Sequence, residues 1–303
     1  MTGPRAQLPA PPAEHPLRAA LARGDRLFAR SVPALQHMLA AGDHALVGEA
    51  VIAQVAGMLA DLARQLCEAV STRVAGEGAE AATFAALLEN DLLRLHCHAL
   101  ALEWRLALRL QDELALDPVL SPLIQSTVAG GEASEGALAM ATLAAQARFA
   151  QAQRRMHLPL AELPAELFHG TLLAARDTLS DFAEAEGRLR AEYDEGAGRL
   201  ALLGRLVGQA AQSAPRALAI EDAGVALWLS ALSARAGDSR DRTAAAAADP
   251  ELGRLLLTLR AAGVAPTEAE RQALRVHPDA LLPRGLQDVG TREAAQWLAE
   301  TPA

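Results

Sequence analysis

Apolar residues recur at three- and four-residue steps along almost the whole chain, and nowhere do they alternate convincingly. The first spacing is that of an α-helix with one buried face; alternation would mark a strand. The series Val47, Val51, Val55, Met58, Leu59, Leu62 and Leu66 shows it. So does the series Phe84, Leu88, Leu92, Leu95, Leu102, Leu106 and Leu110. Composition agrees. Alanine and leucine dominate, all 28 basic residues are arginine, and aromatic residues make up 3%. Ala, Leu, Arg, Glu and Gln are the strong helix formers, and the bias is that of a GC-rich bacterial coding sequence. The expected fold is all-α: a multi-helix array of antiparallel helical hairpins, with no sheet.

Turn residues divide this pattern. Helices are expected from Leu17 to Arg30 and from Pro33 to about Gly42. Asp43 is read as the cap of a longer helix that breaks at Gly76 and Gly78. Ala79 to Leu116 reads as one uninterrupted helix. A short helix should follow from Pro118 to Gly130, and another from a Ser134 cap to Met156. The segment Leu158 to Pro164 reads as a rigid connector, because each proline biases its predecessor away from helix. Further helices are expected at 165–179, 181–190, 222–236, 250–262, 267–275 and 291–300. Glycines weaken the pattern over 192–212. The expected organisation is a disordered Pro/Ala-rich tail over 1–16, an N-terminal helical subdomain over 17–157 and a C-terminal one over 165–303, packed on the first.

One internal match stands out. Asp117-Pro118-Val119-Leu120 reads like Asp249-Pro250-Glu251-Leu252, and Ala129-Gly130-Gly131 falls opposite Ala261-Ala262-Gly263. Asp as N-cap, Pro at the first helical position and Gly at the end explain the grammar. Two readings stay open: capping grammar alone, or a duplicated helix-hairpin unit of degenerate HEAT-like repeats. The residues Ala226 to Ala236, Leu252 to Gly263 and His277-Pro278 resemble an uncharacterised all-α, HEAT-like family of alphaproteobacteria. That resemblance implies a fold style and no catalytic residue.

The charge balance bounds the partners. Net charge is −9 and the pI is about 5.4. Arginines are scattered among carboxylates, so nucleic-acid binding is disfavoured. Cys67 and Cys97 sit in apolar helical patterns and read as reduced core thiols. The N-terminal residues lack a secretory h-region. No stretch is read as a membrane span of about 20 apolar residues, and the expected location is cytoplasmic.

Candidate chemistry is sparse. His96-Cys97-His98 is dense in metal-capable groups, but residues two apart on a helix point about 200° from each other. His98 has Asp91 or Glu103 as possible neighbours on its own helix. Glu166 and His169 have the i, i+3 spacing of di-iron bundles, which need a second such motif and further glutamates. No nucleotide-binding glycine motif or nucleophile elbow is present. Arg148, Arg154 and Arg155, beside Gln146, Gln151 and Gln153, form a basic run suited to an acidic partner or to solvent. No catalytic residue, cofactor or metal site is assigned. The expected function is a non-catalytic, cytoplasmic helical module that binds another protein, with Arg148, Arg154 and Arg155 as contact residues. The alternative is a helical enzyme or ligand-binding protein with a pocket between helices.

Overall fold

A computed structural model describes residues 15–41, 48–70, 78–130, 132–209 and 214–300. These residues form α-helices with short 3-10 turns and no strand. In chain order the helices are α1 (Pro16–Ala41), α2 (Glu49–Ala69), α3 (Ala79–Leu88), α4 (Asp91–Leu114) and α5 (Pro122–Gly130). Then come α6 (Ala133–Arg154), α7 (Ala165–Thr178), α8 (Phe182–Glu192), α9 (Arg199–Gln209) and α10 (Ala214–Ala217). The last are α11 (Ile220–Ala236), α12 (Arg240–Ala248), α13 (Gly253–Ala261), α14 (Pro266–Val276) and α15 (Thr291–Glu300). The all-α fold read from the sequence is the observed one.

Several boundaries differ from the expectation. The helix α1 runs straight through Pro33 instead of stopping there. The expected cap Asp43 lies outside the described residues, and α2 starts after Gly48. The long pattern 79–116 is two helices. Asn90 breaks it in extended conformation and caps α4, its side chain accepting the Leu93 N–H at 3.1 Å.

Neither Asp117 nor Asp249 is an N-cap. Asp117 Oδ1 accepts from the N–H groups of Val119 and Leu120, and α5 begins later, at Pro122, with Ser121 bonding the Ile124 N–H. Asp249 likewise accepts the Glu251 N–H, and α13 begins after Leu252. The matched sequences share an aspartate turn that leads into a helix. The helix α12 was not anticipated: Ser239 caps it by accepting the Arg242 N–H at 3.2 Å.

Two hydrophobic cores organise the molecule. One gathers the start of α1, the C-terminal half of α4, α5, the first half of α6, α9 and α11 to α15, around the fully buried Trp228. The other gathers α2, α3, the N-terminal half of α4, the end of α6, the 158–163 connector, α7 and α8. Both cores therefore share α4 and α6. The expected connector is pinned to the second core by Leu158, Leu160 and Leu163, which are buried there, while Pro159 and Ala161 stay exposed. A linear stack of repeats brings only neighbours together; here α1 packs on α13 and α4 on α12.

Among the described residues one helix, α2, is long and apolar enough to cross a membrane by length and composition alone, a feature its sequence pattern had not suggested. Half of that window is buried against the rest of the fold. It also buries Gln54 and Asp61, both hydrogen-bonded to other parts of the chain.

Candidate ligand-binding pocket

The seam between the cores is polar. Along α4 it falls at Glu103, 1% exposed, and along α6 at Gln146, 3% exposed. Two arginines at helix starts converge on Glu103. Arg199, the first residue of α9, donates from Nη1 and Nη2 to the two carboxylate oxygens at 2.8 and 3.0 Å. Arg240, the first residue of α12, donates to both oxygens at 2.8 Å. Arg199 also donates to Gln146 Oε1 at 3.0 Å and stacks 3.6 Å over the Phe149 ring centroid. Burial pushes the Glu103 carboxyl up, but the two guanidinium charges outweigh it and hold the group well below the usual carboxylate range. Burial alone would lower Arg240; its Glu103 partner reverses that and raises it.

One turn pair before Glu103, α4 presents His96, 2% exposed. Its Nδ1 lies 2.9 Å from Asp241 Oδ2 on the first turn of α12. A carboxylate only accepts, so Nδ1 carries a proton. Nε2 is buried and has no hydrogen-bond partner among the described residues. His96 borders a cavity of about 350 Å³, and Asp241 does not.

The rest of the wall is mainly apolar, with Leu100, Phe149, Leu158 and Leu200 as its larger side chains. Its shape is set by bonds from α2. Asp61 accepts the Leu158 N–H at 3.0 Å, and Gln65 bonds both the Leu158 carbonyl and the Leu160 N–H at 2.9 Å. Gln54 donates to the carbonyl and the side chain of Gln153, fixing the end of α6. On the far side, Glu162 accepts the Arg199 N–H at 2.7 Å and Tyr193 donates to the Leu163 carbonyl at 2.8 Å. Tyr193 stacks on Phe168, and burial, with Glu195 and Asp194, pushes its phenol up to about 12. The acidic side chains Glu192 and Asp194 stand exposed at the rim.

The other sequence candidates fall differently. His98 takes neither expected partner: Asp91 pairs with Arg94, and Glu103 is held by the two arginines. Burial lowers the His98 pKa. Cys97 is fully buried, and burial, with Asp241 nearby, pushes its thiol up, away from thiolate chemistry. Glu166 and His169 are exposed, with His169 Nδ1 2.8 Å from Arg190. No group of three His, Cys, Asp or Glu among the described residues is placed to hold a metal ion. Of the basic run, Arg148 stands at the cavity mouth, and Arg148 and Arg155 share a shallow groove beside it. Arg154 instead lies over the Trp104 ring, 5.9 Å from its centroid. Gln146 and Gln153 are core residues, not part of a solvated face.

Sequence reading missed Arg199, Arg240 and Asp241. Arg240 and Asp241 open a helix that is otherwise nearly all alanine, and Arg199 opens a helix in a stretch punctuated by glycines. The Ser239 cap is the one local sign of α12. No family model, no curated protein and no solved structure matches this chain.

Proposed function

We propose that this chain is a helical ligand-binding protein whose pocket lies at the seam of its two cores. One observation carries the reading: a largely apolar cavity of about 350 Å³ that the buried residues His96 and Arg199 border. Ligand sites are concave, mostly apolar and furnished with a few fixed polar groups, and they favour interfaces between packed units. The paired network behind the wall supports this. Arg199 is locked by Glu103 and Gln146 and holds the start of α9 in place. Rigid supporting bonds of this kind keep a site preorganised. The cytoplasm remains the proposed location. The C-terminal likeness to a HEAT-like family adds a fold style to this reading and no chemistry.

The test is occupancy of the cavity. Small arenes should raise the thermal midpoint of the purified chain. Ala152→Trp, which projects an indole from α6 into the cavity wall, should abolish that shift with the helical circular-dichroism signal intact. Equal shifts in both proteins would place the arene elsewhere and defeat the reading.

Binding of another protein through Arg148, Arg154 and Arg155 is a second reading, favoured by the groove that Arg148 and Arg155 share with Arg64. Replacing Arg154 and Arg155, which do not line the cavity, by serine should then weaken capture of an acidic partner while leaving arene binding unchanged.

A further inference from the structure

We infer that the cavity is the middle of a charged groove that takes an extended peptide. A large apolar side chain of that peptide fills the cavity, with acidic residues to one side of it and basic residues to the other. The inference rests on the cavity being a ligand pocket and names the class of its occupant.

Shape comes first. The cavity adjoins two shallower hollows, of about 270 and 240 Å³. It shares Arg148, Ala152, His157 and Pro159 with the first, and Glu162, Gly198 and Leu200 with the second. The two hollows have no lining residue in common, so they flank the cavity on different sides. A compact molecule would fill the middle alone. An extended chain, rising about 3.3 Å per residue, crosses all three and points one side chain into the centre. A dry cavity of about 150 Å³ takes benzene. The central cavity, at about 350 Å³, has room for an indole.

Charge then sorts by side. At the first hollow Arg148 and Arg155 are exposed, and neither pairs with a carboxylate among the described residues. Asp61, the carboxylate of that hollow, is buried and held by Arg64, with His157 beside it. The opposite side gathers Glu162, Glu192, Asp194 and Glu195. Three of these are fixed by backbone N–H groups: Glu162 accepts from Arg199, Asp194 from Gly196 and Glu195 from Ala165. None of the four pairs with a cation among the described residues. His96 and Arg199, the buried wall residues, are engaged away from the groove by Asp241 and by Glu103 with Gln146. The groove therefore offers cations at one end and anions at the other, around Leu100, Phe149, Leu158 and Leu200. A buried apolar anchor supplies most of the affinity of such a contact, and charges at the rim select and orient.

The experiment is calorimetry on the full chain at low salt. The mixed probes are the blocked peptide Asp-Asp-Ala-Trp-Ala-Lys-Lys and its reverse, since the backbone can run either way. The controls carry four aspartates or four lysines around the same Ala-Trp-Ala. The better mixed peptide should bind about tenfold more tightly than either control, with a gap that narrows as salt is added. It should also displace naphthalene from the cavity. Arg155→Glu should turn the preference toward the four-lysine peptide, and Glu192→Arg toward the four-aspartate one. A gain of binding of this kind cannot come from a damaged fold. A control as tight as the mixed peptides, or an unchanged preference in both variants, would overturn the polarity. Peptide binding that leaves naphthalene in place would overturn the central anchor. Naphthalene binding without peptide binding would overturn the peptide and leave the pocket standing. Failure of naphthalene and of every peptide to bind would overturn the pocket itself.

Discussion

His96 and Asp241 stand 145 positions apart in the chain, yet their side chains meet at 2.9 Å. The contact joins α4 to α12. Asp241→Ala should strand a buried N–H and cost about 1–3 kcal/mol, the penalty of an unsatisfied buried donor. His96→Phe/Asp241→Ala, with both partners gone, should recover part of that loss. Urea unfolding of the two variants measures it. A wild-type midpoint for Asp241→Ala would show that the contact contributes nothing to stability.

Glu103 makes a stronger demand. It balances two buried guanidinium groups, and removing one partner of such a network typically costs about 3–5 kcal/mol. Glu103→Gln should lose stability on that scale at neutral pH. The acid dependence has a definite sign. The folded-state pKa of Glu103 is depressed by Arg199 and Arg240 against the upward push of burial. Its stabilisation is therefore fully present above the unfolded value of about 4.3 and is lost as pH falls from there toward the folded value. Melting temperature against pH should drop steeply below about pH 4.3 in the wild type and less steeply in Glu103→Gln. Parallel acid limbs would mean that another carboxylate governs the loss.

The helices were legible because their apolar stripes repeat: Leu59, Leu62 and Leu66 on α2 all point into the core, as their spacing requires. The pocket was not legible, for two physical reasons. Its members come together only through tertiary packing, and the period of one helix says nothing about which other helix it meets. The helix that carries Arg240 and Asp241 is also nearly all alanine beyond its first turn. Alanine has the highest helix propensity and almost no amphipathic signature, so periodicity overlooks it. Asn90 shows the opposite failure: a cap hidden inside an apolar pattern that continued in register on both sides.

The paired aspartate turns should separate under mutation. Asp117→Ala loses an acceptor for two N–H groups and should cost about 0.5–2 kcal/mol, the range of a lost cap. Asp249 differs because burial raises its pKa, with Glu251 and Asp25 adding to the push. A raised folded-state pKa means stability that is present below the unfolded value and lost as pH rises through the folded one. Asp249→Asn keeps an oxygen for the Glu251 N–H and removes the buried charge. It should melt above the wild type at about pH 7 and at or below it near pH 3, on either side of the usual aspartate value. A lower melting temperature at neutral pH would show that the Asp249 charge is favourable as it stands.

The approach of α1 to α13 gives the sharpest packing prediction. A Cβ on Gly253 would lie 2.4 Å from the Leu21 nitrogen and 2.6 Å from the Ala20 carbonyl carbon. Both are backbone atoms inside α1, so no rotamer change relieves the clash; one helix must move off the other. Gly253→Ala should therefore cost about 1–3 kcal/mol, the usual penalty of overpacking. Gly204 on α9 is the control. A Cβ there meets nothing within 4 Å, and the position is exposed in mid-helix. Gly204→Ala should stabilise by about 0.4–1 kcal/mol by restricting the unfolded chain. Opposite signs for the same chemical change, read from denaturant midpoints, test the close seating of α1 on α13. A neutral or stabilising Gly253→Ala would mean that α1 does not lie against α13 at this distance.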